Sequence, residues 1–152
     1  MIQIDEKMLE TIIRNVVQAE LSNKSANGRQ VDPSGVMAID LNHVHPEQFD
    51  TGKAGDKVFL KDIFSLEESP RLGCGLMEMD KTTFDWTLNY DEVDYIIEGQ
   101  LEVIIDGRKV VGKKGDVMLI PKGSKIQFSA PDYAKFIYVV FPANWEQQNN
   151  NL

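Results

Sequence analysis

Residues 84–103 read FDWTLNYDEVDYIIEGQLEV. From Glu92 the side chains alternate, with Glu92, Asp94 and Ile96 on one face and Val93, Tyr95 and Ile97 on the other, which is the two-residue period of an extended strand. Gly99 breaks the run, QLEVIID resumes it, and Asp106-Gly107 before RKVV is a two-residue hairpin signal. Working outward, the same texture appears in VFLKDIF, CGLMEM and DWTLNY upstream and in DVMLI, KIQFS and KFIYVVF downstream. These short segments are rich in Val, Ile, Phe and Tyr and are separated by Gly, Pro and Asp-Gly turns. They predict an all-β antiparallel sandwich or barrel from about Lys57 onward.

Two fragments narrow that prediction. Glu92 followed by Gly99 resembles the second half of the first cupin motif, and Gly115-Asp-Val-Met-Leu-Ile-Pro121-Lys-Gly123 resembles the opening of the second. Their order, with a β-rich stretch between them, points to a single cupin barrel of the RmlC-like jelly-roll type. A cupin metal centre needs imidazoles and a carboxylate converging inside the barrel. Counting back from Glu92, the histidine places fall on Asp85 and Thr87 or, with one residue less, on Trp86 and Leu88. The ligand place of the second motif falls on Ile126. Only Glu92 remains, so no histidine-based metal centre is expected.

The two histidines, His43 and His45, lie before the strand region, with no carboxylate at motif spacing and no glycine turn after them. They read as polar loop residues. Gly107 to Lys113 approaches a phosphate-loop spacing, but Lys114 stands where Ser or Thr should hold Mg²⁺, and the segment joins two strands rather than a strand and a helix. A nucleotide loop is rejected there.

The candidate site is acidic and hydroxylic. If Glu92 points inward, Asp94 does too, and the counting places Asp85, Thr87 and Asn89 together one strand earlier. Such carboxylates suit Mg²⁺ held through water by Asp85, Glu92 and Asp94, or a general base formed by Glu92 and Asp94. They are equally consistent with a solvated polar cavity without chemistry. Lys122 and Lys125 flank the PKGSK turn, where they could steer a phosphate or serve only as surface charge.

Ahead of the strands, residues 1–21 contain an amphipathic helix whose stripe is Leu9, Ile12, Ile13, Val16 and Val17. Asp5 is the expected N-cap, and Ile4 with Leu9 the expected hydrophobic staple. Residues 22–48 read as a flexible linker and lead-in, 49–146 as the barrel, and 147–152 as a frayed tail. The formal charge of −8 disfavours nucleic acid and anionic membrane faces as partners. No apolar run is long enough to span a bilayer. The single cysteine, Cys74, allows no internal disulfide and fits a reducing cytoplasm.

DWTLNYDEVDYIIEG, IPKGSKIQFSAPDYAKFIYVVFPANW and SPRLGCGLMEM together resemble the EutQ cupins of ethanolamine utilisation over roughly Phe49 to Trp145. LETIIRNVV likewise resembles the short helices that tether cargo to bacterial microcompartment shells. The resemblance implies a homodimeric cupin, cytoplasmic and associated with the microcompartment, with residues 5–21 docking on shell or cargo proteins. It also implies acetate kinase activity, with ATP and Mg²⁺ as cofactors and acetate as the small-molecule substrate. Glu92 and Asp94 are then the catalytic candidates, and Asp85, Thr87, Lys122 and Lys125 the cofactor-binding ones. A non-catalytic cupin that binds a metabolite or organises cargo is the alternative.

Overall fold

The computed structural model describes residues 5–22 and 27–149, in two units, Met1–His43 and Val44–Leu152. The first unit opens with helix α1 (Glu6–Ser22). Asp5 caps it: its carboxylate accepts the Met8 N–H at 2.7 Å and its carbonyl accepts the Leu9 N–H at 3.0 Å. Leu9, Ile12, Ile13, Val16 and Val17 are all exposed. Ile4, the other half of the expected staple, lies outside the described residues.

The stretch read as linker is partly ordered. Strands β1 (Arg29–Val31) and β2 (Met37–Ile39) form an antiparallel hairpin in which Arg29 faces Ile39. The turn between them is built by Asp32, whose carboxylate accepts the Ser34 N–H at 2.8 Å, and by Gly35 at φ 92°. Composition suggested flexibility there, but the Asp-Pro-Ser-Gly order is specific turn chemistry. A 3₁₀ turn, Leu41–His43, ends the unit.

The second unit is one curled antiparallel sheet followed by a short helix. Its strands are β3 (Glu47–Gln48), β4 (Val58–Asp62), β5 (Gly73–Thr87), β6 (Asp91–Ile105), β7 (Arg108–Lys113), β8 (Val117–Ile120) and β9 (Lys125–Phe141). They hydrogen-bond in the order β3-β4-β5-β9-β6-β7, with β8 beside the first part of β6. β5, β6 and β9 each run 15 residues or more and bend around a core that includes Val58, Met79, Phe84, Ile96, Leu101 and Phe136. The hydrogen-bonded path ends at β3 and β7, so the expected barrel is a jelly-roll sheet curled about its core rather than a closed ring.

Two local features set its geometry. Asp106 and Gly107 both have positive φ, 49° and 74°, as the predicted hairpin between β6 and β7 requires. Gly99, at φ 76°, sits where a side chain would run into the Tyr133 carbonyl, and the β6–β9 register shifts around it. The inward face therefore moves from even-numbered Glu92, Asp94 and Ile96 to odd-numbered Leu101 and Val103. After β9, helix α2 (Trp145–Asn149) buries Trp145 in the core. Residues 147–149 are thus helical rather than frayed, and the Gln148 carbonyl accepts the Asn89 side-chain N–H at 3.2 Å. Residues 150–152 of the expected tail lie outside the described residues. No helix among the described residues is long and apolar enough to cross a membrane.

Candidate functional site: a carboxyl pair in an aromatic cavity

One parity runs through the connection from β5 to β6. Phe84, Leu88, Tyr90, Glu92, Asp94 and Ile96 are all buried, whereas Asp85, Val93 and Tyr95 are exposed. Of the two countings for the histidine places, the structure takes Trp86 and Leu88. Ile126, the third place, is also buried and lies opposite Trp86 across the β5–β9 pair. Apolar side chains thus fill the three histidine places of a cupin metal centre, and Glu92 alone keeps its ligand type.

Glu92 is 4% exposed and Asp94 wholly buried, two residues apart on the inner face of β6. No N–H or O–H from another residue reaches either Asp94 oxygen. The remaining way to satisfy two adjacent buried carboxyls is to share a proton. Burial raises the Glu92 carboxyl to about 7, against hydrogen bonds from Asp94 and Tyr90 that hold it lower. Burial, and then the Glu92 charge, push Asp94 well above the usual carboxylate range. Both shifts favour the protonated form of the pair over two buried charges. On the other side, the Trp86 indole N–H donates to the Tyr90 hydroxyl oxygen at 2.8 Å. Burial and the Glu92 charge keep that phenol protonated.

Glu92 faces a cavity whose walls include Phe84, Trp86, Tyr90, Tyr138 and Trp145. Its free volume is about 20 Å³, enough for roughly one water. No lysine, arginine or histidine lines it among the described residues. At the far wall the Tyr138 hydroxyl donates to Asp62 at 2.8 Å. Gly75 is what lets that ring lie flat against β5, since any side chain on it would occupy the ring's own position. An adenine nucleotide does not fit this cavity, so the reading of inner acids that hold Mg·ATP is corrected.

The remaining candidates are elsewhere. Asp85 is on the outer face, accepting the Gln127 side-chain N–H at 2.9 Å. It lines an open groove of about 280 Å³ with Thr87, Asp106, Lys125 and Gln127, and Trp86 is common to this groove and the cavity. The Mg²⁺ site expected from Asp85, Glu92 and Asp94 is therefore not assembled, because the inner parity excludes Asp85. Among the described residues no three His, Cys, Asp or Glu side chains form a metal-holding group. Asn89 turns to α2 rather than to the carboxyl pair. Lys122 lies apart from the groove, with its backbone N–H bonded to Asp91 at 2.9 Å. His43 pairs with Asp40 at 3.2 Å, His45 is exposed, and Cys74 is a half-buried free thiol whose pKa burial raises. Tyr90, Tyr138 and Trp145 were missed from the sequence as site residues. The even-numbered apolar run from Phe84 to Tyr90 was the available signal for Tyr90.

The geometry can be set beside known proteins. The family model described as ethanolamine utilisation protein EutQ matches residues 4–147. The chain is 53% identical to the acetate kinase EutQ of Clostridioides difficile, covering 96% of this chain and 97% of that one. It is 37% identical to the acetate kinase EutQ of Salmonella typhimurium, covering 92% of this chain but 61% of that longer protein. The solved structure of Clostridium difficile EutQ superposes with a TM-score of 0.78 at 58% identity, over 82% of this chain and 94% of that one. A cupin domain of Schizosaccharomyces pombe Cnp3, at 17% identity and a TM-score of 0.53, shares the fold over 76% of this chain and 80% of its own. From residue 4 to residue 147, this chain belongs to the ethanolamine utilisation protein EutQ family.

Proposed function

We propose that the protein is an acetate kinase of ethanolamine breakdown, moving a phosphoryl group between ATP and acetate. The observation that carries this reading is the 53% identity, along nearly the whole of both chains, to a protein named acetate kinase. Phosphates need cations and hydrogen-bond donors. The cavity lacks cations, whereas the outer groove has Lys125 and Thr87 for phosphate and Asp85 and Asp106 for a water-coordinated Mg²⁺. Acetate arrives already ionised, so the transfer has no proton for a general base to remove. Glu92 and Asp94 are therefore not needed as a base, and Lys122 is not part of the groove.

The test is acetyl phosphate formation from ATP, Mg²⁺ and acetate by the wild type, Lys125→Ala, Asp85→Asn, Glu92→Gln and Asp94→Asn, purified identically. Loss confined to the first two variants supports the groove. Loss confined to the last two moves the chemistry to the cavity. Equal rates in all five reject both and point to a contaminating kinase.

A second reading is a metabolite-binding cupin, favoured by the aromatic cavity and its cation-free lining. Either role is compatible with a place at the microcompartment. There the exposed α1 stripe would dock on shell or cargo proteins. The proposed homodimer would use the outer face of β6, β8 and β9, where Val93, Tyr95, Val117, Leu119, Val139 and Phe141 are exposed side by side.

A further inference from the structure

We propose that the outer edge of β7 is a docking site for an extended acidic peptide segment, added to the sheet as one more strand with its apolar side chains in the slot between β7 and β8. β7 ends the hydrogen-bonded path, and its partner among the described residues is β6. In an antiparallel pair, successive residues turn their backbone groups alternately toward the partner and away from it. Counting from the two-residue turn at Asp106-Gly107, Arg108, Val110 and Gly112 bond to β6, and Lys109, Val111 and Lys113 face outward. The Lys113 N–H fits that phase, since it donates to the Asp116 carboxylate at 2.8 Å rather than to β6. The N–H and C=O groups of Lys109 and Val111 are therefore an open template for a further strand.

The side chains define what fits there. Residues 108–114 carry Arg108, Lys109, Lys113 and Lys114 and no acid, in a chain whose formal charge is −8. Arg108 lies 3.5 Å from Asp106 and Lys109 lies 2.8 Å from Glu102, whereas Lys113 and Lys114 have no ion pair among the described residues. On the inner side, β7 and β8 pair with different parts of β6 and leave an open slot between them. The slot has about 430 Å³ of free volume, and Val103, Ile105, Val110, Met118, Ile120 and Ile126 line it. A strand laid along β7 alternates in the same way, so every second side chain enters the slot and the others face Lys109 and Lys113. The pattern that satisfies both sides is apolar inward and acidic outward. Two β7 edges from separate copies would bring like charges together, so the same lysines disfavour self-pairing.

This inference goes beyond the phosphotransferase reading and does not depend on it, since the test contains no nucleotide. The purified chain is titrated against a labelled, end-blocked heptapeptide of alternating glutamate and valine, with fluorescence anisotropy as the readout. Parallel arms use a lysine–valine counterpart, an isomer with its glutamates and valines in separate blocks, and a peptide N-methylated at alternate residues to remove its strand hydrogen bonds. Saturable binding of the alternating acidic peptide alone, weakened by added salt, is expected. Reversing both free charges, Lys113→Glu with Lys114→Glu, should lower the affinity by roughly tenfold. Val111→Pro removes an outward N–H without touching the β6 ladder and should abolish binding. Equal binding of any control peptide, undiminished binding in either folded variant, or no binding at all would overturn the proposal. So would release of monomers from a dimer by the peptide, which would give this edge to a second copy of the chain. Should Val111→Pro fail to fold, the N-methylated peptide tests the same hydrogen bonds from the other side.

Discussion

The Trp86 indole N–H points at the Tyr90 phenol oxygen, 2.8 Å away, and so ties two walls of the cavity together. Trp86→Phe keeps the aromatic wall and removes this one donor. Tyr90 is 2% exposed, so its oxygen would lose a buried partner, at a cost of about 1–3 kcal/mol. Denaturant melts of wild type and Trp86→Phe measure it. No change in midpoint would mean that Tyr90 finds another donor.

The carboxyl pair makes stability fall as pH rises. Burial raises Glu92 from 4.5 to about 7 and raises Asp94 well above 3.8. The folded state thus holds protons that the unfolded chain has already released. Its advantage is complete below about pH 4, shrinks as pH climbs, and for Glu92 is spent above about pH 7. The loss amounts to a few kcal/mol. Asp94→Asn should flatten this slope and melt higher than wild type at pH 8, by about 2–4 °C per kcal/mol. Parallel melting curves from pH 5 to pH 8 for the two proteins would contradict it.

Gly75 and Tyr138 occupy one volume between them. Gly75→Ala should displace the ring, break its bond to Asp62 and cost about 1–3 kcal/mol. Adding Tyr138→Leu should recover part of that loss. If the two losses simply add, the clash is not their coupling.

The α1 stripe should be read by a partner rather than by the sheet. Ile12→Glu or Val16→Glu should leave the melting temperature unchanged and abolish co-sedimentation with purified shell proteins. Normal recovery with the shell in both variants would remove α1 from that role.

Leu119 is 70% exposed at the middle of the proposed dimer face. Leu119→Lys should shift the molar mass in light scattering from dimer to monomer without loss of β structure. A variant that stays dimeric would place the interface elsewhere.

Strand period, the Asp106-Gly107 hairpin and the Asp5 cap were legible because each is written in adjacent residues. The burial of Glu92 and Asp94 followed from the same period. The phase of the preceding strand was not settled by motif spacing, which left both 85/87 and 86/88 open. Aromatic and apolar residues at 84, 86, 88 and 90 carry the answer, and burial follows that parity straight through the connection. The far walls of the cavity are a different problem. Phe49, Tyr138 and Trp145 reach Glu92 from some fifty residues away in the chain, through pairings that no local window contains. The order at residues 29–39 was hidden by polar composition, although its turn residues were in plain sight.

β9 lies between β5 and β6, yet it is the last strand in chain order. While the chain is being synthesised, its two longest earlier strands therefore emerge from the ribosome without the neighbour they share. Their open edges and apolar inner faces have to wait for residues 125–141. A nascent chain stalled before Lys125 should be protease-sensitive and retained by chaperones. Protection should then arrive in a single step once Phe141 clears the exit tunnel, because one strand completes both halves of the sheet at once.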